Sequence, residues 1–290
     1  MEEEDLIEFE NVCFRYTKEQ EYVLKNISFT IDAGELVGIV GNNGAGKTTL
    51  VKHLNGLLKP KKGIVKINEE DISHKPISKM ATLVGLAFQN PNHQLFADSV
   101  YKELEFGPKN LGLPEEERKR IINEIVEQFQ IDHLLSRSPI ELSGGERRIV
   151  AIASVLTMNQ KILVLDEPTY GQDYRQKQRL GEYFQELSKK GVTVIVVSHD
   201  VDFIIDFIPR VLVLADGEII ADGKTPEVFS QKEILNQAAL THPILMDLCI
   251  KIQEIFPDFP IKVSEKEILQ QILQFSHSEK SLTKAKGEMK

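Results

Sequence analysis

A glycine-rich run that ends in lysine and threonine occupies residues 41–48, with the sequence Gly-Asn-Asn-Gly-Ala-Gly-Lys-Thr. This spacing matches the phosphate-binding loop G-x-x-x-x-G-K-[ST], in which glycines allow backbone N–H groups to surround phosphate oxygens. The lysine would reach the β- and γ-phosphates of a nucleotide, and the threonine hydroxyl would bind Mg²⁺. An ordinary glycine-rich turn is the alternative, but an apolar strand pattern precedes the loop and a helical pattern follows it, as a phosphate site requires. The candidate nucleotide-binding residues here are Asn42, Asn43, Gly44, Ala45, Gly46, Lys47, Thr48 and Thr49.

Two carboxylates, Asp166 and Glu167, follow directly after the apolar run 161–165. Ligands collect at the carboxyl ends of strands in open α/β sheets, so this position favours a site over a solvated acidic turn. Asp166 is placed to hold Mg²⁺, directly or through water. Glu167 is placed to act as general base on an attacking water. With the phosphate loop, the pair predicts chemistry on a nucleotide.

The chain has 290 residues, of which 41 % are hydrophobic and 27 % are charged, and its formal net charge is −9. These values are typical of a soluble globular protein with one large domain, or one domain and a smaller appendage. The acidic balance argues against a protein that coats nucleic acid, because such binding depends on Lys and Arg.

Cys13 and Cys249 are too few for a disulfide framework and favour a reducing compartment. The acidic start is unlike a secretory signal, and no apolar run approaches the ~20 residues that span a bilayer, so we expect a cytoplasmic protein.

Short apolar runs alternate with helical patterns, which predicts an α/β fold whose parallel sheet is covered on both faces. The predicted strands of that sheet are residues 36–40, 161–165, 192–197 and 210–214. Helices are predicted over 49–58 and 174–190. By contrast, the alternating patterns at 6–16 and 24–31 predict an N-terminal antiparallel β subdomain.

Two further regions are predicted to be mainly helical. Residues 98–150 form a predicted helical subdomain within a main domain that spans 1–234. Residues 235–290 form a predicted C-terminal helical extension, with amphipathic helices at 243–256 and 265–275 and a polar, disordered tail.

A third motif, Leu142-Ser-Gly-Gly-Glu146, opens a helical pattern. It resembles the L-S-G-G-Q signature of the ATP-binding subunits of ATP-binding-cassette (ABC) transporters. Other elements of that family follow in family order over residues 6–234: Tyr16, Gln89 in Ala-Phe-Gln-Asn-Pro, Asp166-Glu-Pro-Thr, Gly171-Gln-Asp and His199 in Val-Ser-His-Asp. The resemblance implies the P-loop NTPase fold of the ABC cassette, with ATP and Mg²⁺ as ligands and ATP hydrolysis as the activity.

The resemblance also implies a role for each matched residue. Tyr16 would stack on adenine, Gln89 would contact the γ-phosphate, the metal or the attacking water, and His199 would contact the γ-phosphate. The signature residues would face ATP held by a second subunit, so the expected active unit is a dimer that encloses two ATP molecules. The predicted catalytic residues are thus Glu167, His199 and Gln89; the metal ligands are Thr48, Gln89 and Asp166; and Tyr16, Ser143, Gly144 and Gly145 join the nucleotide-binding set.

Three positions depart from the family pattern. Glu146 stands in place of the usual signature glutamine, Ile149 stands where an arginine is common, and Gly171-Gln172 replaces a small residue and leucine. Because the lysine, both carboxylates and the histidine are present, these changes concern dimer contacts more than chemistry.

The segment 88–96, Phe-Gln-Asn-Pro-Asn-His-Gln-Leu-Phe, resembles energy-coupling-factor ATPases and the related cobalt and nickel importers. That branch implies a second ATPase subunit, identical or paralogous, a transmembrane coupling protein that docks near 89–105, a membrane subunit that binds a vitamin or metal ion, and a place on the cytoplasmic face of the membrane. The apolar stripe of the C-terminal extension, Ile244, Leu245, Leu248, Ile252 and Ile255, fits subunit pairing and self-packing equally well. The alternative function is that of a soluble, non-transport ABC ATPase. Such proteins usually carry two cassettes or a long coiled-coil insertion, whereas this sequence has one cassette and no long heptad run, so the alternative is disfavoured.

Overall fold

The structure, a computed structural model, describes residues 5–257, 259–260 and 268–273. The strands are β1 (Asp5–Phe14), β2 (Leu24–Asp32), β3 (Leu36–Val40), β4 (Lys62–Ile67), β5 (Glu70–Asp71), β6 (Val84–Ala87), β7 (Ile162–Asp166), β8 (Thr193–Val197), β9 (Arg210–Ala215) and β10 (Glu218–Lys224). The helices are α1 (Lys47–Leu54), α2 (Ile77–Leu83), α3 (Val100–Asn110), α4 (Glu115–Phe129), α5 (Gly144–Leu156), α6 (Tyr174–Lys189), α7 (Val201–Phe207), α8 (Thr225–Phe229), α9 (Lys232–Gln237) and α10 (Ile244–Gln253).

The larger sheet has six strands in the order β10-β9-β3-β8-β7-β6. Strands β3, β6, β7, β8 and β9 run parallel, and β10 pairs antiparallel with β9. All residues of β3, β7 and β8 are buried, because this sheet is covered on both faces. The predicted mixed β core is confirmed, and the carboxyl ends of its parallel strands form one edge.

The smaller sheet is antiparallel, with the order β2-β1-β4-β5. This arrangement confirms the predicted N-terminal antiparallel sheet. Its inner side chains, including Phe9, Ile27 and Val65, share a core with Val37 and Ile39 of β3 and with Leu50 of α1. Because side chains alternate along a strand, Leu36 and Val40 of β3 point to the opposite face, where helices cover the sheet.

Helices α3, α4 and α5 occupy the region of the predicted helical subdomain. Their apolar faces, including Leu104, Ile122 and Val150, pack in the same core cluster as the outer face of the parallel sheet. The contact fixes the signature motif, which begins α5, to the sheet that carries the two carboxylates.

The end of the described chain packs partly on the main core. Leu235 and Met246 are buried in the core cluster of the parallel sheet, whereas Cys249 of α10 packs with Phe259 and Ile268. Residues 268–273 are helical within the predicted helix at 265–275, and the predicted polar tail lies outside the described residues. In the described part of the chain, no helix is long and apolar enough to cross a membrane.

Candidate functional site

The phosphate loop joins β3 to α1, so it lies at the carboxyl edge of the parallel sheet. Gly46 has a φ of +105°, and a Cβ atom there would lie 2.9 Å from the Leu24 side chain. A Cβ atom on Gly41 would lie 2.1 Å from the Leu214 carbonyl oxygen. Only glycine fits these two positions, because the first needs a left-handed backbone and the second has no room for a side chain.

Lys47 begins α1, and its side chain folds back over the loop. Its Nζ atom donates to the carbonyl oxygens of Gly41 at 2.7 Å and Asn42 at 2.9 Å. Burial lowers the pKa of Lys47, while the charges of Glu167 and Asp166 oppose that shift. A buried ammonium held by neutral carbonyls is poised to bind phosphate oxygens, which carry charge and accept stronger hydrogen bonds.

Thr48 and Asp166 meet across the site, and the threonine Oγ1 donates to the aspartate Oδ2 at 2.8 Å. Burial raises the pKa of Asp166, and the charge of Glu167 raises it further; the Thr48 hydrogen bond and the cations Lys47 and Arg148 lower it. A hydroxyl and a carboxylate oxygen at this distance are donors of the kind that Mg²⁺ prefers. The donor set therefore fits the metal that the sequence predicts.

Glu167 is buried beside the half-exposed ring of His199. Its Oε1 atom lies 2.8 Å from Nδ1 of His199, and its Oε2 atom is 3.4 Å from the hydroxyl of Ser198. The residue has a φ of 55°, and its N–H donates to the Val197 carbonyl of the neighbouring strand. A non-glycine residue in the left-handed region is strained, and such strain is concentrated at functional sites.

These groups surround one cavity of about 310 Å³. It is lined by Val23, Asn43, Gly44, Gly46, Lys47, Thr48, Thr49, Gln89, Asp166 and Glu167. The structure thus brings both predicted motifs and Gln89 together. Asn42 and Ala45 belong to the same loop, and His199 reaches the cavity through its contact with Glu167.

Tyr16 lies beside this cavity, with its hydroxyl 2.9 Å from Oγ1 of Thr49. Its ring is 52 % exposed and stands edge-on to Phe14, with the ring centroids 5.0 Å apart. An exposed aromatic ring fixed at its hydroxyl presents a flat apolar surface, which suits stacking on a base.

The signature motif caps α5 and lies outside the cavity of its own phosphate loop. The Ser143 Oγ accepts from the Glu146 N–H at 3.3 Å, and the Ser143 N–H donates to the Glu146 carboxylate at 2.7 Å. Gly144 and Gly145 instead line a second cavity, of about 460 Å³, together with Gln89 and Arg147. Within one chain, the signature glycines and the phosphate loop therefore line different cavities.

Two departures from the family pattern have local explanations. Glu146 completes the capping box of α5, and the hydrogen bond from the Ser143 backbone lowers the pKa of its carboxyl. The Nε2 atom of Gln172 donates to the Gly145 carbonyl at 3.1 Å, so this segment is fastened to the signature. Ile149 is buried in the hydrophobic core.

Sequence reasoning missed two residues at the site. Val23 lines the cavity although it precedes β2, and its N–H donates to the Phe14 carbonyl at the end of the neighbouring strand β1. Arg148 is buried beneath Asp166, while its sequence context, Glu-Arg-Arg, is that of a solvated helix face. A buried arginine next to a signature motif leaves no signal in hydrophobic periodicity.

The fold and the site define an ATP-binding cassette: a phosphate loop, two strand-end carboxylates and a signature helix on one mixed sheet. The family described as ABC transporter matches residues 24–170 of the chain. The chain therefore belongs to the ABC transporter family, as the signature and its associated motifs predict. It binds and hydrolyses ATP, as the ATP-binding subunits of these transporters do.

Individual relatives agree with this assignment. The energy-coupling factor transporter ATP-binding protein EcfA2 of Caldanaerobacter subterraneus subsp. tengcongensis is 40 % identical, and the match covers 95 % of this chain and 99 % of the relative. The structure of cbiO1 from Clostridium perfringens, part of the ABC transporter complex cbiONQ, is 34 % identical; the match covers 88 % of this chain and all of that chain, with a TM-score of 0.72. A dimeric bacterial ABC transporter cassette is 28 % identical, with a TM-score of 0.70 over 76 % of this chain and 98 % of that one.

Proposed function

We propose that this chain is the ATP-hydrolysing subunit of an energy-coupling-factor-type importer and that it acts in a pair at the cytoplasmic face of the membrane. Support comes from its similarity over nearly its whole length to EcfA2 and from its structural similarity to cbiO1, a part of a transporter complex. The alternative of a soluble, non-transport ABC ATPase is not favoured, because these relatives are transporter subunits.

The geometry of the first cavity supports a division of roles. The buried ammonium of Lys47 binds the β- and γ-phosphates, and Thr48, Asp166 and Gln89 hold Mg²⁺, which neutralises phosphate charge when bound. Glu167 accepts a proton from the attacking water, and His199 orients the glutamate through their 2.8 Å contact and reaches the γ-phosphate. Tyr16 stacks on the adenine.

The second part of the site comes from a partner cassette. The observation that carries this proposal is the separation of the signature from its own phosphate loop: Gly144 and Gly145 line a different cavity from Lys47 and Glu167. Ser143 at the N-terminus of α5 offers a hydroxyl and nearby N–H groups, which suit an anion. Two chains arranged head to tail would each supply a signature to the other's γ-phosphate, and dimeric cassettes occur among the structural neighbours.

The coupling protein has a candidate docking surface beside Gln89. Phe96 is 64 % exposed and Phe106 is 47 % exposed, and their rings meet edge-to-face with centroids 4.7 Å apart. Paired aromatic rings exposed to solvent are typical of a protein contact. We assign this surface, within the region 89–105 and its neighbour α3, to a helix of the transmembrane coupling protein, which works with a membrane subunit that binds a vitamin or metal ion.

Replacement of the proposed base tests the chemistry. Glu167→Gln should retain ATP affinity within about threefold but reduce kcat by at least about a hundredfold, because the side chain keeps its size and loses its basicity. Steady-state ATPase rates and equilibrium nucleotide binding measure the two effects. Glu186→Gln, which changes a half-exposed carboxylate on α6, is the control and should match the parent protein. If Glu167→Gln hydrolyses ATP at the parental rate, Glu167 is not the general base.

The C-terminal extension supplies a second test, of pairing. Ile244 and Ile255 are 71 % and 74 % exposed, and Leu248 is 44 % exposed, whereas Leu245 and Ile252 pack on the Cys249 cluster. Ile244 and Leu248 lie one turn apart on α10, and Ile255 follows just after the end of that helix. An exposed apolar stretch of this kind suits contact with a second subunit. Leu248→Glu with Ile255→Glu should weaken the dimerisation constant by about tenfold in sedimentation analysis, since two apolar contacts are replaced by charges. Ile77→Glu, at an exposed position on α2, is the control. Equal dimerisation constants for the double variant and this control would show that the extension does not contribute to pairing.

A further inference from the structure

Arg148 is a buried arginine that no role described above uses. It lies on the second turn of α5, five residues after Ser143, and is 5 % exposed. Arginine is rarely buried without a partner, because its guanidinium is always charged. Its partners therefore show what it does.

The guanidinium joins two backbone carbonyls from different elements. Its Nη1 atom donates to the carbonyl of Phe88 at 3.2 Å and to the carbonyl of Asp166 at 3.3 Å. Phe88 immediately precedes Gln89, and Asp166 immediately precedes Glu167. One nitrogen with two N–H groups thus bridges the residue before Gln89, a proposed metal ligand, and the residue before Glu167, the proposed base.

The position also places a positive charge beneath the two carboxylates. Burial lowers the pKa of Arg148, and the negative charges of Asp166 and Glu167 oppose that effect. Lys47 is the other cation acting on Asp166, and it lines the cavity of the phosphate loop. Arg148 does not line the cavity of the phosphate loop; it lines the second cavity, together with Gln89, Gly144 and Gly145. It thus joins the signature helix to the residues that precede Gln89 and Glu167.

We infer that Arg148 is a positioning residue for ATP hydrolysis, fixing the segment that carries Gln89 against the strand end that carries Glu167. Because the same side chain is rooted in the signature helix, it ties the relative placement of these two groups to the position of α5. The inference rests on the roles proposed above for Gln89 and Glu167.

The test compares Arg148 with an arginine whose role is structural. Arg148→Met keeps a side chain of similar length but removes the charge and both hydrogen bonds. Arg210→Met removes a larger set of hydrogen bonds at the opposite edge of the sheet, where Arg210 bonds Glu35 and Asp222. For the complete chain, Arg148→Met should lower kcat about thirtyfold with the KM for Mg-ATP within threefold, because a misplaced catalytic group costs rate even when the substrate site is intact. Arg210→Met should lower the Tm but leave kcat within about twofold.

Two further variants separate positioning from folding. Arg148→Lys keeps the charge but not the planar fork, so its kcat should lie between those of the parent protein and Arg148→Met. In a Gln89→Ala background, Arg148→Met should cost at most about threefold more, since the placement of Gln89 no longer matters. If Arg148→Met does not fold, the same cycle with Arg148→Lys replaces it. A parental kcat, a loss of kcat that only follows a loss of folded protein, or full additivity with Gln89→Ala would overturn the inference.

Glu167→Gln, measured in the same series, keeps the two failures apart. If Glu167→Gln retains turnover, the proposed role of Glu167 is wrong and the inference loses its basis. If Glu167→Gln is inactive while Arg148→Met turns over normally, only the inference about Arg148 is wrong.

Discussion

The two edges of the parallel sheet hold charged side chains in opposite ways. At the carboxyl edge, burial lowers the pKa of Lys47 and of Arg148 and raises that of Asp166, so each of these charged forms is disfavoured by its surroundings. At the amino edge, Arg210 donates to both carboxylate oxygens of Glu35, at 3.0 and 2.9 Å, and to those of Asp222, at 2.8 Å. The hydrogen bonds to Asp222 contribute most, and with those to Glu35 they hold the pKa of Arg210 above its usual value.

The difference shows where the molecule is stable and where it is prepared for a ligand. Charges at the amino edge satisfy one another, so they stabilise the folded chain itself. Charges at the carboxyl edge are desolvated and only partly paired, a state that phosphate and a metal ion would relieve. Substitutions at the carboxyl edge should therefore change activity more than stability, and substitutions at the amino edge should do the reverse.

The largest effect is expected from Lys47→Ala. It removes the ammonium that faces the phosphates and should weaken ATP binding by at least about a hundredfold, because charge-assisted hydrogen bonds to phosphate are lost. The free energy of unfolding without nucleotide should change by less than about 1 kcal/mol, since burial already disfavours this charge. Calorimetric titration with ATP and chemical denaturation measure the two quantities. Near-parental ATP affinity, or a large loss of stability without nucleotide, would contradict the contrast between the two edges.

How far the sequence predicts this arrangement depends on the kind of signal. Strands β3, β7 and β8 match the prediction to within one residue at every end, because a doubly covered strand must be continuously apolar. The motifs at 41–48 and 166–167 meet in one cavity because their spacing is set by the chemistry of phosphate binding.

Other features are set by tertiary contacts that leave little trace in the sequence. The predicted helix at 49–58 ends at Leu54, because Gly56 adopts a φ of 73°. Strand β4 and helix α2 are not among the predicted elements: β4 is mostly exposed over its first half, and α2 buries only Met80. The position of Arg148 depends on three elements that meet in space, so no local pattern reveals it.

A smaller effect tests whether burial alone sets the electrostatics near the phosphate loop. His53 on α1 is 1 % exposed, and its Nδ1 atom bonds the Thr49 carbonyl at 2.8 Å, so this nitrogen carries the proton of a neutral ring. Burial lowers the pKa of His53 to about 4 from 6.5, while backbone hydrogen bonds at Thr49 and Leu50 oppose the shift. Below pH 6.5 the unfolded chain therefore binds more protons than the folded chain at this residue. Its stabilising contribution is complete above pH 6.5 and falls by ~3 kcal/mol as the pH decreases to 4.

The measurement is the free energy of unfolding from pH 7.5 to pH 4. His53→Phe should lack the part of the pH dependence that comes from this residue, whatever its absolute stability. His133→Gln, which changes an exposed histidine on the helical region, should retain the parental slope. Parallel curves for the parent protein and His53→Phe would show that burial does not govern this part of the site.

The smallest effect is expected at the amino edge. Arg210→Met leaves Glu35 and Asp222 without their shared cation and removes a hydrogen bond to the Thr30 carbonyl. The side chains are partly exposed, at 23 % for Arg210, 22 % for Glu35 and 35 % for Asp222, so water screens part of the loss. We expect the free energy of unfolding to fall by about 2 kcal/mol, between the values typical of surface and buried ion pairs. ATP affinity and kcat should stay within twofold. A fall in kcat larger than the fall in folded protein would mean that the two edges are coupled through β3 and β9 and that the separation of stability from chemistry does not hold.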